Sequence, residues 1–248
     1  MNRLLEVQRV SKRFGGLQAL HEVSLQTERE ILGLIGPNGA GKTTLFNVIS
    51  GFLPPTSGRV HYDGQPIHGH RPHQIVEMGI ARTFQIVRPF GDLTVMENVL
   101  SGHGLSYYPS WRAFAERFRA PGSESAAFDI LEMTDLAAWA KAKASSLPIG
   151  LQRRLEIARA LATGPQMLLL DEPAAGLTTQ EGEELAALIR KLYEQDISLI
   201  VIEHNMAFAM GLCQRIVVLA QGQIIAEGTP AEVQSNPAVI GAYLGSEA

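Results

Sequence analysis

Apolar positions along the chain fall into two kinds of run. The first is short, nearly unbroken and stopped by polar residues. Residues 31–35 run into Gly36-Pro37, 167–170 into Asp171-Glu172, and 197–202 into Glu203-His204. Residues 216–219 follow the same pattern. Such runs predict strands covered on both faces. The second kind recurs at helical spacing. Leu185, Leu188, Ile189 and Leu192 share one face with charges on the other, and Leu155, Ala158 and Ala162 repeat this more weakly. Strand, loop and helix in alternation predict a parallel sheet with helices on both sides.

The middle of the chain breaks the alternation. Residues 87–161 hold few strand-like runs and many helix formers, and 103–125 are polar and aromatic (Tyr107, Tyr108, Trp111, Phe114, Phe118), with Pro109, Pro121 and Gly122 as breakers. We therefore expect a helical subdomain at 87–161, inserted into an α/β core made of 1–86 and 162–248. The expected core is a mostly parallel buried sheet with a small antiparallel β part on its N-terminal side.

Composition narrows this picture. The 248 residues are 46% hydrophobic and 19% charged, which suits a sizeable core and argues against disorder. The formal net charge is −4 and no basic block is present, so a nucleic-acid partner is not expected. Cys213 is the single cysteine, which rules out an intramolecular disulfide and suits a reducing compartment. It is expected to be a small core residue. No run approaches the roughly 18–20 apolar residues of a membrane span. Arg3, Glu6 and Arg9 leave the first ten residues without a signal-peptide core. Any work at a membrane is therefore expected to pass through partners.

The chemistry begins where the first strand stops. Gly36-Pro37-Asn38-Gly39-Ala40-Gly41-Lys42-Thr43 matches G-x-x-x-x-G-K-[ST], between a predicted strand and a predicted helix at 44–50 that opens with Thr44. Glycines allow a tight turn in which successive N–H groups point at phosphate oxygens, and the helix N-terminus adds a favourable dipole. Lys42 is expected to reach the β- and γ-phosphates of a nucleotide, and the Thr43 hydroxyl to bind Mg²⁺. Asp171, at a strand end, is expected to hold the same Mg²⁺. Glu172 is the candidate base that polarises the attacking water. His204 ends another strand, where ligands of α/β sheets sit, and is expected to contact the γ-phosphate. His68, His70 and His73 read as a loop without the spacing of a metal site.

Together these residues resemble the ATPase subunits of ABC transporters, over nearly the whole chain. Gln85, in Ala81-Arg82-Thr83-Phe84-Gln85, stands at the family's Q-loop position. Gly150, followed by Gln152 to Leu161, matches the signature region, Ala174-Ala175-Gly176-Leu177 the D-loop, and Glu203-His204 the switch histidine. The segments Leu93-Thr94-Val95-Met96-Glu97-Asn98-Val99, Ile202-Glu203-His204-Asn205-Met206 and Ile225-Ala226-Glu227-Gly228-Thr229-Pro230 are similar to the branched-chain amino-acid importers. Urea and amide importers share much of this pattern. The resemblance implies a P-loop NTPase fold and an ATPase using ATP and Mg²⁺ at the cytoplasmic face of the membrane. It implies transmembrane permease subunits as partners and, indirectly, a solute-binding protein. It also implies a second, identical or homologous ATPase subunit clamped head to tail, each ATP lying between one phosphate loop and the other subunit's signature. Phe14, ahead of the first sheet strand, would stack on adenine, and Gln85 would touch Mg²⁺ and the water.

Two departures stand out. The signature reads Leu147-Pro148-Ile149-Gly150-Leu151, with proline in place of serine and Leu151 in place of a polar residue. Proline offers neither hydroxyl nor N–H, although it suits the first turn of a helix. A hydrogen bond to a charged group lost there costs about 1.5–3 kcal/mol, while the Gly150 N–H is left to donate. Thr178 stands where the family more often has Asp or Asn. Other readings stay open at this point: a lipid or lipopolysaccharide exporter ATPase, and an ABC ATPase that serves no membrane. A GTPase lacks support, because no N-K-x-D run is present.

Overall fold

The structure is a computed structural model, and it describes residues 5–83, 89–103 and 123–244. The chain opens with strands β1 (Leu5–Phe14), β2 (Leu17–Thr27) and β3 (Ile31–Ile35), then helix α1 (Lys42–Ile49). Strands β4 (Ser57–Tyr62) and β5 (Gln65–Pro66), helix α2 (Pro72–Glu77) and strand β6 (Ile80–Arg82) follow. Helices α3 (Val95–His103), α4 (Ser123–Met133) and α5 (Ile149–Leu161) lead to strand β7 (Met167–Asp171) and helix α6 (Thr179–Glu194). Strand β8 (Ser198–Ile202), helix α7 (Met206–Leu212), strands β9 (Arg215–Ala220) and β10 (Gln223–Gly228), and helices α8 (Pro230–Ser235) and α9 (Pro237–Leu244) complete the order.

Six strands form the central sheet in the order β10-β9-β3-β8-β7-β6. It is parallel from β9 through β6, and β10 closes one edge antiparallel to β9. Every residue of β3, β7 and β8 is buried, as their unbroken apolar runs require. Alternate residues feed two separate cores. Leu32, Leu34, Leu169, Ile200 and Val217 pack with Leu45 and Phe46 of α1, while Ile31, Ile35, Leu168, Leu170 and Val201 pack with Leu185, Leu188 and Ile189 of α6. This is the period of two made visible: one strand serves both faces.

A second sheet, antiparallel in the order β2-β1-β4-β5, packs into the α1 side of the core through Leu5, Val7, Leu20 and Val60. Among the described residues, a third apolar cluster draws on the segment from Val95 to Ala162, including Val99, Leu131, Leu147 and Leu155. The polar aromatic segment singled out at 103–125 lies largely outside the described residues. His73 departs from expectation, because it lies in α2 rather than in a loop; Pro72 before it has the fixed φ that suits a first helical turn. Among the described residues no group of three or more His, Cys, Asp or Glu is placed to hold a metal ion. No helix among them is long and apolar enough to cross a membrane.

Candidate active site

The carboxyl ends of β3, β7 and β8 are hydrogen-bonded neighbours, so the polar residues that stop each apolar run meet at one edge. Gly36 continues β3 with φ of 150°, and a Cβ there would lie 1.9 Å from the Leu219 carbonyl oxygen, so only glycine fits. The loop then turns through Pro37, Asn38, Gly39 and Ala40, with the Ala40 N–H donating to the Pro37 carbonyl at 3.2 Å. Helix α1 begins after Gly41 with no side-chain cap and no acidic residue in its first turn. Its first intrahelical bond is Leu45 N–H to Gly41 C=O, so the N–H groups of Lys42, Thr43 and Thr44 precede the ladder.

Lys42 is 7% exposed. Its Nζ donates to the carbonyl oxygens of Gly36 at 2.6 Å and Pro37 at 3.0 Å, which folds the ammonium back over the loop. Burial pushes its pKa down, and the charges of Glu172 and Asp171 oppose that. The Thr43 side chain is exposed at the start of the same helix.

Asp171 is buried, and its two oxygens are treated differently. Oδ2 accepts from Arg82 Nη2 at 2.7 Å, while Oδ1 is buried with no hydrogen-bond partner. A partnerless buried carboxylate oxygen is costly in isolation and is the kind of atom a divalent cation satisfies, so the site fits Mg²⁺. Arg82 also donates to Asn47 Oδ1 at 2.7 Å and to Ser50 Oγ at 3.0 Å, and its guanidinium lies 5.5 Å from the Phe46 ring centre. It thereby ties β6 and α1 to the end of β7. Nothing local signals this role. It follows from the pairing of Arg82 with Leu169 across β6 and β7, residues far apart in the chain.

Glu172 leaves the strand in a left-handed conformation, with φ of 49°. Its N–H donates to the Ile202 carbonyl at 3.0 Å, which draws the ends of β7 and β8 together. His204 Nδ1 lies 3.6 Å from Glu172 Oε2, with side-chain exposures of 55% and 18%. Glu203, between β8 and that histidine, is fully buried. Burial raises its pKa, and the N–H groups of Ala174 and Asn205 oppose that shift.

The phosphate loop, Asp171, Glu172 and His204 are thus brought to one sheet edge. The other predicted site residues fall elsewhere. Gln85 lies outside the described residues. Phe14 is the last residue of β1, the first strand in chain order; the residue is 45% exposed, with the Lys12 ammonium 5.2 Å from its ring centre. Gly150 lies in the first turn of α5, whose cap position is Pro148, with no side-chain cap. A Cβ at Gly150 would lie 2.9 Å from Glu181 Oε1. Thr178, the D-loop departure, caps α6: its hydroxyl accepts from the Glu181 N–H, and Glu181 Oε2 accepts from the Thr178 N–H and hydroxyl. Cys213 is buried against Gly33, and its thiol is pushed up to about 12 by burial and by the Glu203 charge.

Comparison with known proteins decides the family. The ABC transporter family matches residues 20–175, and a family described as branched-chain amino acid ATP-binding cassette transporter matches 223–248. This chain belongs to the ABC transporter ATPases. It is 43% identical to the high-affinity branched-chain amino acid transport ATP-binding protein BraF of Pseudomonas aeruginosa, over 98% of each chain. It is 44% identical to the corresponding protein LivG of Escherichia coli K12, again over 98% of each. Among solved structures, the ADP conformation of MJ1267, an ATP-binding cassette of an ABC transporter, superposes with a TM-score of 0.90 at 33% identity, covering 99% of both chains. A dimeric bacterial ABC transporter cassette, MJ0796, superposes with a TM-score of 0.76 at 29% identity, covering 91% of this chain and 98% of that one. This ABC ATPase binds nucleotide and hydrolyses ATP on a P-loop NTPase fold.

Proposed function

We propose that this chain powers the import of branched-chain amino acids, as the ATP-hydrolysing subunit of a transporter seated on the cytoplasmic face of the membrane. The observation that carries the reading is similarity over nearly full length to BraF and LivG, joined to the family match at residues 223–248. Its partners are transmembrane permease subunits and, through them, a solute-binding protein. A second ATPase subunit pairs with it head to tail. The nucleotide-binding core is 1–86 with 162–248, and 87–161 is the helical subdomain that carries the signature.

Phe14 stacks on adenine, and the amides from Gly36 to Thr44 with Lys42 hold the phosphates. Thr43, Asp171 and Gln85 hold Mg²⁺, which when bound supplies positive charge to the phosphate oxygens. Glu172 takes a proton from water as the water oxygen bonds to the γ-phosphorus and the bond from that phosphorus to the ADP oxygen breaks. His204 holds the γ-phosphate against that base, an assignment supported by the 3.6 Å approach of the two side chains. Lys42 leaves its two loop carbonyls for the phosphate oxygens, which costs little because one set of acceptors replaces another.

Glu172→Gln tests the assignment. General-base catalysis is worth about 10²–10⁴-fold, so turnover should fall by that factor while ATP still binds and a dimer closed on ATP accumulates. Phosphate release and size-exclusion chromatography read both. Parental turnover in this variant removes Glu172 as the base. For the cargo, uptake of radiolabelled leucine by cells lacking the chain is the test. Unchanged uptake there, with loss of urea uptake, would select the amide-importer reading.

A further inference from the structure

Glu203 has no part in the chemistry assigned above, yet it is fully buried beside it. Among the described residues no lysine or arginine forms an ion pair with it. Its two oxygens are instead divided between two turns. Oε1 accepts from the Ala174 N–H at 2.9 Å, and Oε2 accepts from the Asn205 N–H at 3.3 Å. Ala174 lies two residues beyond Glu172 in the turn from β7 to α6, and Asn205 directly follows His204. Asn205 is also the cap of α7, with its side-chain oxygen accepting from the Phe208 N–H.

The turn after β7 needs such an anchor. Glu172 is a non-glycine residue at φ of 49°, a conformation that persists only where the surroundings over-determine it. Two links to the end of β8 do so: Glu172 N–H to Ile202 C=O, and Ala174 N–H to Glu203 Oε1. The second link shares its carboxylate with the histidine's own loop.

We propose that Glu203 is a positioning residue, whose buried carboxylate bridges the Ala174 and Asn205 amides and so sets Glu172 and His204 at their working separation. This rests on the proposed roles of Glu172 and His204. A carboxylate suits the task because both of its oxygens accept and neither donates. A glutamine in its place turns one end into an NH₂ group facing a backbone N–H, donor against donor, so one of the two turns is released.

The test uses the full chain carrying Glu203→Gln. Mg-ATP affinity should stay within about twofold, because the phosphate loop is untouched. Single-turnover hydrolysis should fall about ten- to a hundredfold, the size expected when a reacting group is misplaced by about an ångström. Amide hydrogen exchange should quicken at Ala174 and Asn205 and stay unchanged at residues 36–44. In a Glu172→Gln background the same substitution should add less than twofold to the loss, since it acts through that residue. Equal losses in both backgrounds overturn the proposal, as does parental hydrolysis with quickened exchange. If Glu172→Gln alone turns over normally, the base assignment fails, and exchange at the two amides then decides whether Glu203 holds the turns. Glu203→Asp, which keeps the charge and loses the reach, answers to the same readouts should the glutamine variant not fold.

Discussion

Helices α1 and α5 both start without a side-chain cap, and they differ in the charge carried at that start. Helix α1 follows a glycine turn and carries Lys42 at its first position, buried over the loop. Helix α5 follows Pro148, with Ile149 exposed, and the Glu181 carboxylate reaches to where a Gly150 Cβ would be. Both ends present N–H groups that the helix cannot satisfy itself. The first carries a cation, Lys42, with the Asp171 and Glu172 carboxylates acting on it; the second has the Glu181 carboxylate nearby and no lysine at its first position. An uncapped helix start becomes a strong phosphate site through the charge brought to it, not through its dipole alone. In the proposed head-to-tail pair, α1 serves this chain's own nucleotide and α5 faces the partner's. On that arrangement we propose that the chain holds its own ATP well and clasps its partner's weakly.

The contrast can be broken most severely at Lys42. Lys42→Ala should abolish hydrolysis and weaken ATP binding at least ten- to a hundredfold, since hydrogen bonds to charged groups are worth about 1.5–3 kcal/mol. Equilibrium nucleotide binding and phosphate release measure this, and parental values would discard the phosphate-loop assignment. Next in size is Pro148→Ser, which gives α5 a hydroxyl. ATPase activity of a self-paired preparation should rise about tenfold or more by the same energies, and an unchanged rate would end the idea of a weak clasp. Glu181→Gln removes the anion while keeping a residue able to complete the cap. A charge at a helix N-terminus is worth about 0.3–1 kcal/mol, so self-paired ATP affinity should improve about two- to fivefold, fading with added salt.

The smallest effect concerns α6, a helix start that does have a side-chain cap. Thr178→Ala should cost about 1 kcal/mol in urea unfolding at neutral pH. The Thr178 N–H and hydroxyl hold the Glu181 carboxyl below its ordinary value. A depressed folded-state pKa gives stability above the unfolded value, lost as pH falls through the folded one. The parent should therefore lose more stability than Thr178→Ala as the solution is acidified below about pH 4. Parallel acid profiles for the two would reject the cap as the source.

How much of this was legible depends on burial. The run 31–35 is β3 residue for residue, and 167–170 is β7 short of Asp171, because strands covered on both faces leave no polar positions to blur them. Residues 197–202 overshoot β8 by one, since Ile197 continues the apolar run before the ladder begins. Strand β10 (Gln223–Gly228) left no comparable mark: it is an edge strand, only partly covered, so its residues are mixed. Strand β6 is too short to show a pattern, yet it delivers Arg82. The histidines 68, 70 and 73 misled slightly, because Pro72 begins a helix where breakers suggested a loop.

Sequence alone was enough for the buried runs, the glycine turn with its lysine, and the carboxylates and histidine that stop the strands. Each of those is a local matter, set by side-chain burial or backbone freedom within a few residues. Tertiary structure alone decided that Arg82 occupies one oxygen of Asp171 and leaves the other partnerless, that Glu203 bridges two turns, and that Glu181 stands against Gly150. Those contacts join segments brought together only when strands pair and helices pack, and no spacing along the chain encodes a distance between them.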